Sequence, residues 1–170
     1  MIHLYTGDGK GKTTAAVGLA VRAAGRNMKV CFSQFMKGSD TGEIHVLKNL
    51  SRITILRSEK DFGFYSQMSQ EDKAELTVIH NGILDELLRR AESGECDMLI
   101  LDEVTYPVNW GLLDRDKLVR LLEYGEDAEI VITGRDPEDF LKDCADYITE
   151  MKALRHPYEK GITARRGIEY

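Results

Sequence analysis

The sequence predicts an α/β domain of three layers, with a mainly parallel central sheet held between helices. Three observations lead there. Short apolar runs alternate with helical periods along the chain. The run "DMLILDE" (97–103) is apolar enough to be buried on both faces. The glycine-rich stretch "TGDGKGKTT" (6–14) joins the first apolar run to the first helical one. With 170 residues and 42% hydrophobic content, one domain over 1–170 suffices, and its core needs neither disulfides nor a structural metal.

Taken in order, residues 2–5 make a short buried strand and 12–24 a helix whose small residues allow close packing, with Gly25 as its stop. "MKVCFSQF" (28–35) is the next strand and "RITIL" (52–56) a third, with a short helix between Glu43 and Leu50. Ser69 and Asp72 read as a helix cap, after which Leu76, Ile79, Ile83, Leu87 and Ala91 recur at helical spacing up to Gly94. The strand 97–103 ends in two carboxylates, which places them at the ligand edge of a parallel sheet. A helix at about 114–123, a strand at 128–134, a helix from Pro137 and a short strand at 145–151 complete the alternation. Segments 36–43 and 58–68 carry the weakest structural signal, and the tail from about 151 to 170 reads either as a disordered terminus or as an ordered lid.

The balance of 23 basic against 29 acidic residues gives a net charge of −6, so no overall positive field draws the chain to nucleic acid or an anionic membrane. No apolar stretch approaches membrane-spanning length, and no charged leader precedes the first strand. Cys31, Cys96 and Cys144 are far apart and sit in or beside apolar stretches, so they read as buried thiols of a reducing cytosol. His3, His45 and His80 lack metal-ligand spacing and read as structural or surface residues.

In the glycine-rich stretch, Gly11, Lys12 and Thr13 complete the pattern G-x-x-x-x-G-K-[ST], but Thr6 stands at its first glycine. Gly7, Gly9 and Gly11 still let the backbone turn its N–H groups toward an anion. Lys12 supplies a cation for terminal phosphate oxygens, Thr13 a hydroxyl for Mg²⁺, and the helix N-terminus a partial positive charge. Asp102 and Glu103, closing a buried strand, are where such proteins hold Mg²⁺ or its water shell. Together these motifs predict Mg-nucleotide binding. They leave the reaction open among kinases, hydrolases, switches and motors.

Several segments together resemble the P-loop family of cob(I)alamin (corrinoid) adenosyltransferases: "YTGDGKGKTTAAVGLAVRAAG", "VCFSQFMKG", "LILDEVTYPVNWGLL", "IVITGR" and "HPYEKGITARRGIEY". Thr in place of the first glycine is itself a trait of that family. The resemblance implies a RecA-like P-loop NTPase fold, a homodimer, and an enzyme that transfers the 5′-deoxyadenosyl group of ATP to Co(I) of a corrinoid, releasing triphosphate. Longer members of the family carry an N-terminal extension ahead of the first strand; a lid role for one is not expected here.

By the same resemblance Gly7, Asp8, Gly9, Lys10, Gly11, Lys12, Thr13 and Thr14 surround the triphosphate, with ATP held in the reverse sense to most P-loop enzymes. Lys12 and Glu103 are the catalytic candidates; Thr13, Asp102 and Glu103 are those for Mg²⁺. The resemblance favours Glu103 as the direct ligand, while the strand-end logic favours Asp102. The segment "DFGFYSQ" (61–67) matches the family's corrinoid loop, which assigns Phe62 and Phe64 to the lower face of the corrin ring; Phe64 stands where Trp is found in a relative. Packing beneath their own loop is the other reading of these two residues.

Arg22 and Arg135 are candidates for contacts to ATP, against the alternative of solvated surface charges. Gln34, Phe35 and Lys37 fall at a strand's C-terminal end and border the pocket; Tyr106 and Trp110 either line it or pack in the core. His156, Tyr158, Arg165 and Arg166 belong to the family-like tail, expected to order near ATP. An electron-donating reductase is the implied partner besides the two substrates. The rival functions are another P-loop kinase or hydrolase, weakened for thymidine-kinase-like enzymes by the lack of a zinc-binding cysteine cluster, and a nucleotide-dependent corrinoid-binding protein.

Overall fold

Side chains alternate faces along a strand, and in Met98–Asp102 every position before the last is apolar, so both faces of that strand need cover. The computed structural model, which describes the backbone of residues 1–170 and all side chains but that of Tyr158, supplies it. Strands β1 (Ile2–Thr6), β2 (Val30–Gln34), β3 (Ile53–Arg57), β4 (Met98–Asp102), β5 (Glu129–Thr133) and β6 (Tyr147–Glu150) form one sheet in the order β3-β2-β4-β5-β1-β6. Every pairing is parallel. The helices are α1 (Lys12–Ala24), α2 (Gly42–Leu47), α3 (Gln70–Glu92), α4 (Thr105–Asn109), α5 (Arg115–Leu122) and α6 (Asp139–Asp143).

Two apolar layers follow from the alternation. Met98 and Ile100 face the side covered by α1 and α2, where Ala16, Ala20, Ala23 and Leu47 are buried. Leu99 and Leu101 face α3, α5 and α6 through Ile83, Leu84, Leu87, Leu118, Leu121 and Leu141. Alanines at 16, 20 and 23 fall on one stripe of α1 and let its backbone come close to the sheet. The long helix α3 begins with the capping box read from the sequence: the Ser69 hydroxyl accepts from the Asp72 N–H at 3.0 Å, and Asp72 Oδ2 accepts from the Ser69 N–H at 3.1 Å.

The differences from the sequence reading are local. Helix α2 stops at Leu47, three residues short of Leu50. Helix α4 was not expected, because five residues containing Pro107 show no periodicity. The segment 58–68 contains a single 3₁₀ turn, Tyr65–Gln67. Cys31 and Cys96 are buried and Cys144 half-buried, all three as free thiols. Among the described residues, no helix is long and apolar enough to cross a membrane.

Because all six strands run the same way, the segments leaving β1, β2, β4 and β5 emerge along one edge of the sheet. β5 separates β1 from β4, so the glycine-rich loop and the acidic pair meet across the end of β5.

Candidate functional site

Gly7 and Gly11, in the loop after β1, have φ of 95° and 119°, a region in which a Cβ is strained. A Cβ on Gly7 or Gly9 would also run into the carbonyl of Met151, the residue after β6. That carbonyl accepts from the Gly9 N–H at 2.6 Å, and the Met151 N–H donates to the Thr6 carbonyl at 2.8 Å. Thr6 is thus the last ladder residue of β1, opposite Glu150. A β-branched residue suits that place better than glycine, which gives a physical reason for the departure at the motif's first position.

Lys12 opens α1, and its Nζ donates to the carbonyls of Gly7 at 2.6 Å and Gly9 at 2.8 Å. Burial, and then the charge of Arg135, lower its pKa, with Glu103, Asp8 and Asp102 pulling it back up. A half-buried ammonium so placed gains from an anion at the loop.

Asp102 is fully buried at the end of β4. Its Oδ1 accepts from the hydroxyls of Thr13 (2.8 Å) and Thr133 (2.7 Å), and its Oδ2 from Lys37 Nζ (3.0 Å) and Gln34 Nε2 (3.3 Å). Those four donors satisfy a carboxylate that burial alone would make costly. Glu103 adopts φ 60°, strained for a residue with a side chain. Its N–H is held by Thr133 Oγ1 at 2.9 Å, and its carboxylate lies 3.4 Å from Lys37 Nζ. Burial raises the pKa of Glu103; Lys37 opposes this and Asp102 adds to it. For Lys37 burial disfavours the charge, but Asp102 and Glu103 outweigh it and its pKa rises.

The loop, Glu103, Lys37 and Arg135 line one cleft of about 650 Å³, which also takes in Thr41 from the β2–α2 connection, Glu43 from the first turn of α2, and His156 with residues 167–170 from the tail. Of the candidates for phosphate contact, Asp8, Gly9, Lys10, Gly11, Lys12, Thr13 and Thr14 all reach it, and Gly7 borders it through its bond with Lys12. Arg135 donates to the Asp8 carbonyl at 3.3 Å. Arg22 does not belong to the cleft: ten helical residues beyond Lys12 carry it about 15 Å along α1, where it lines a separate groove with Met28 and Glu129. Lys37, read from sequence only as bordering the pocket, lines it and reaches both carboxylates, while Gln34 is buried behind Asp102 and does not line the cleft. Thr133 and Glu43 were not singled out as site residues: the only signal for Thr133 was its place at the end of β5, and Glu43 was read only as the start of a short helix.

Thr13, Asp102 and Glu103 offer hard oxygen donors of the type Mg²⁺ takes, and the Lys37 ammonium lies 3.3, 3.0 and 3.4 Å from their oxygens. Among the described residues no group of three or more His, Cys, Asp and Glu is arranged to hold a metal ion by protein ligands alone.

Phe62 is half-buried beside Met36, Met68, Leu76 and Leu112, whereas Phe64 is 77% exposed. Next to them in the chain, Tyr65 lies on Trp110 with centroids 4.1 Å apart, and Tyr106 is 5.3 Å from Trp110. The side chain of Tyr158, expected near ATP, is outside those described.

Comparison with known proteins adds the family dimension. The model of the family described as ATP:corrinoid adenosyltransferase BtuR/CobO/CobP matches residues 1–170. A corrinoid adenosyltransferase of Escherichia coli is 32% identical over 172 residues, covering 100% of this chain and 85% of that protein. The corrinoid adenosyltransferase CobA of Salmonella typhimurium is likewise 32% identical over 176 residues, with the same coverage. Among solved structures, a KaiC-like protein of Pyrococcus horikoshii superposes with a TM-score of 0.57 at 13% identity, covering 89% of this chain and 70% of that one. That likeness shows the fold, the RecA-like P-loop arrangement.

Proposed function

The chain belongs to the ATP:corrinoid adenosyltransferase family, and from that membership we propose that it transfers the 5′-deoxyadenosyl group of ATP to the Co(I) centre of a corrinoid, with triphosphate as leaving group. The observation that carries the reading is the convergence of residues 8–14 of the glycine-rich loop, Glu103 and Arg135 on one cleft, in a chain that matches the family from end to end. The kinase and switch readings that the motifs alone allow have no comparable support.

The chemistry asks little of side-chain nucleophiles. The Co(I) lone pair attacks C5′, the cobalt–carbon bond forms as the C5′–O bond breaks, and the electron pair leaves on the triphosphate. The protein's task is to hold C5′ in line with cobalt and to stabilise the charge that gathers on the phosphates. Lys12, the loop N–H groups and the start of α1 hold the triphosphate, with ATP reversed relative to other P-loop enzymes. Thr13, Asp102 and Glu103 would hold Mg²⁺, for which their hydroxyl and carboxylate oxygens are suitable donors, and the ion would supply further neutralisation of the leaving group. Phe62 and Phe64 close on the lower face of the corrin, and an apolar wedge there replaces an axial nitrogen and makes Co(II) easier to reduce. The tail from 152 onward folds over the triphosphate as a lid of the single domain. The setting is cytosolic, which the three free thiols suit, and a homodimer served by an electron-donating reductase is the working form, as the family resemblance implies.

Anaerobic incubation with ATP and reduced corrinoid is expected to give adenosylated corrin and triphosphate in equal amounts over many turnovers. Lys12→Ala should cut the rate by about a hundredfold or more, the usual loss when one donor to a developing oxyanion is removed. ADP and phosphate as products would overturn the reading, and a single turnover would assign a carrier instead.

A further inference from the structure

We propose that Lys37 is a built-in placeholder for the divalent cation: its ammonium neutralises the Thr13–Asp102–Glu103 pocket when no ion is bound, so that the metal enters only together with the triphosphate. The inference rests on the MgATP reading of the cleft and adds to it the order in which the cleft is loaded.

Three features of the backbone aim Lys37 at this spot. Met36 adopts φ 58°, and its N–H donates to Nε2 of the buried His80 at 3.2 Å. A Cβ on Gly38 would run into the Lys60 carbonyl, so residues 36–38 pass pressed against the neighbouring loop. The turn between β2 and α2 is thereby pinned on both sides of Lys37. Its side chain, 20% exposed, reaches Asp102 at 3.0 Å and Glu103 at 3.4 Å.

Gln34 is a separate indication that a cation with its water belongs here. The residue is 1% exposed; its amide nitrogen is 3.3 Å from Asp102 and 3.2 Å from Glu43, while Oε1 is buried with no hydrogen-bond partner. A buried acceptor without a donor is costly, and metal-bound water is the kind of donor it lacks.

The loading order follows from charge. A bare divalent ion must evict the Lys37 ammonium, so two carboxylates gain one cation only by losing another. When ATP arrives as well, Lys37 can release the carboxylates and turn to the added negative charge, because it already lines the same cleft. Lys37 is thus a positioning residue, acting through the metal ligands.

Calorimetric titration of the full chain with MgCl₂ alone tests this. Lys37→Met and Lys37→Gln, which remove the charge, should each bind the ion at least about tenfold more tightly than the natural chain, since one close like charge has gone. Lys37→Arg should not. A merely structural role for Lys37 would weaken metal binding or leave it unchanged. Equal affinity for metal alone in all four proteins, with MgATP binding retained, overturns the placeholder and leaves the nucleotide site standing. Failure of the natural chain to bind MgATP overturns the site itself, and the placeholder with it. On the natural chain alone, Mn²⁺ followed by electron paramagnetic resonance should show tight binding only when ATP is present. Tight Mn²⁺ binding without nucleotide would overturn the proposal even if every variant failed to fold.

Discussion

At the scale of single residues the site is held by groups that its motifs do not contain. His80, on α3, is 1% exposed, with its ring 5.4 Å from that of Phe35. Its Nε2 accepts from Met36, and Nδ1 is buried without a partner. Burial holds its pKa down to about 4 from an ordinary 6.5. Between those values the unfolded chain binds a proton that the folded chain refuses, so stability is present above pH 6.5 and is lost as pH falls toward 4. The size of that loss is about 3 kcal/mol from this residue. His80→Gln keeps an acceptor for Met36 without the titration, and its unfolding free energy in urea should fall less steeply over the same range. Parallel slopes for the two proteins would show that His80 titrates normally. Sequence reading leaves His80 as a structural or surface residue; its burial makes it structural, but nothing in its spacing revealed that it braces the turn carrying Lys37. Arg22 fails for the opposite reason: its nearness to the motif in sequence says nothing of the helix rise that takes it to another groove.

At the scale of elements, what was legible is what has a period or a cap. Helix α3 could be read from both ends because Ser69, Asp72 and Gly94 mark them, and β4 because an unbroken apolar run must lie between two layers. Helix α4 and the 3₁₀ turn at Tyr65–Gln67 are too short to carry a period, and the stack of Tyr65 on Trp110 that joins them is a tertiary contact with no local signature. The loop 58–68 also separates two residues that sequence treats alike. Phe62 packs into a small apolar cluster and carries Lys60 over its ring at 4.5 Å, while Phe64 is exposed. Phe62→Ala should therefore cost about 1–2 kcal/mol of stability, the scale for a partly buried aromatic, and slow Co(II) reduction more than it weakens ATP binding. Phe64→Ala should change stability by less than about 0.5 kcal/mol, as exposed substitutions do, yet weaken corrinoid binding. Denaturant melts with anaerobic spectroscopic titrations measure both, and Trp110, the single tryptophan of the chain, reports the loop by its fluorescence. Equal stability losses in the two variants, or unaltered corrinoid binding by Phe64→Ala, would contradict this division of labour.

At the scale of the whole molecule, the sheet and the cleft are joined through β6. That strand is exposed along its length, and it adds little to the core. Its register nonetheless brings Met151 against Gly9 and Thr6, so the chain leaves the sheet at the glycine-rich loop itself and the tail begins at the cleft. No residue beyond Ala145 belongs to the apolar clusters described, while His156 and residues 167–170 line the cleft. Within the tail Arg165 and Glu169 hold each other, from the backbone N–H at 2.8 Å and from Nη2 at 3.1 Å. Stability and nucleotide binding should therefore respond separately to shortening. A chain ended after Lys152 keeps both Met151 hydrogen bonds and the core, so its unfolding free energy should change by less than about 1 kcal/mol, the range of changes that leave a core intact. Its affinity for MgATP should drop at least about tenfold, about 1.4 kcal/mol, as the far wall of the cleft is lost. A chain ended after Glu150 also loses the bonds to Gly9 and Thr6 and should be destabilised further, by about 1–3 kcal/mol for two backbone partners removed. Calorimetry with MgATP beside denaturant unfolding separates the effects, and unchanged MgATP affinity after the first truncation would refute the tail as a lid.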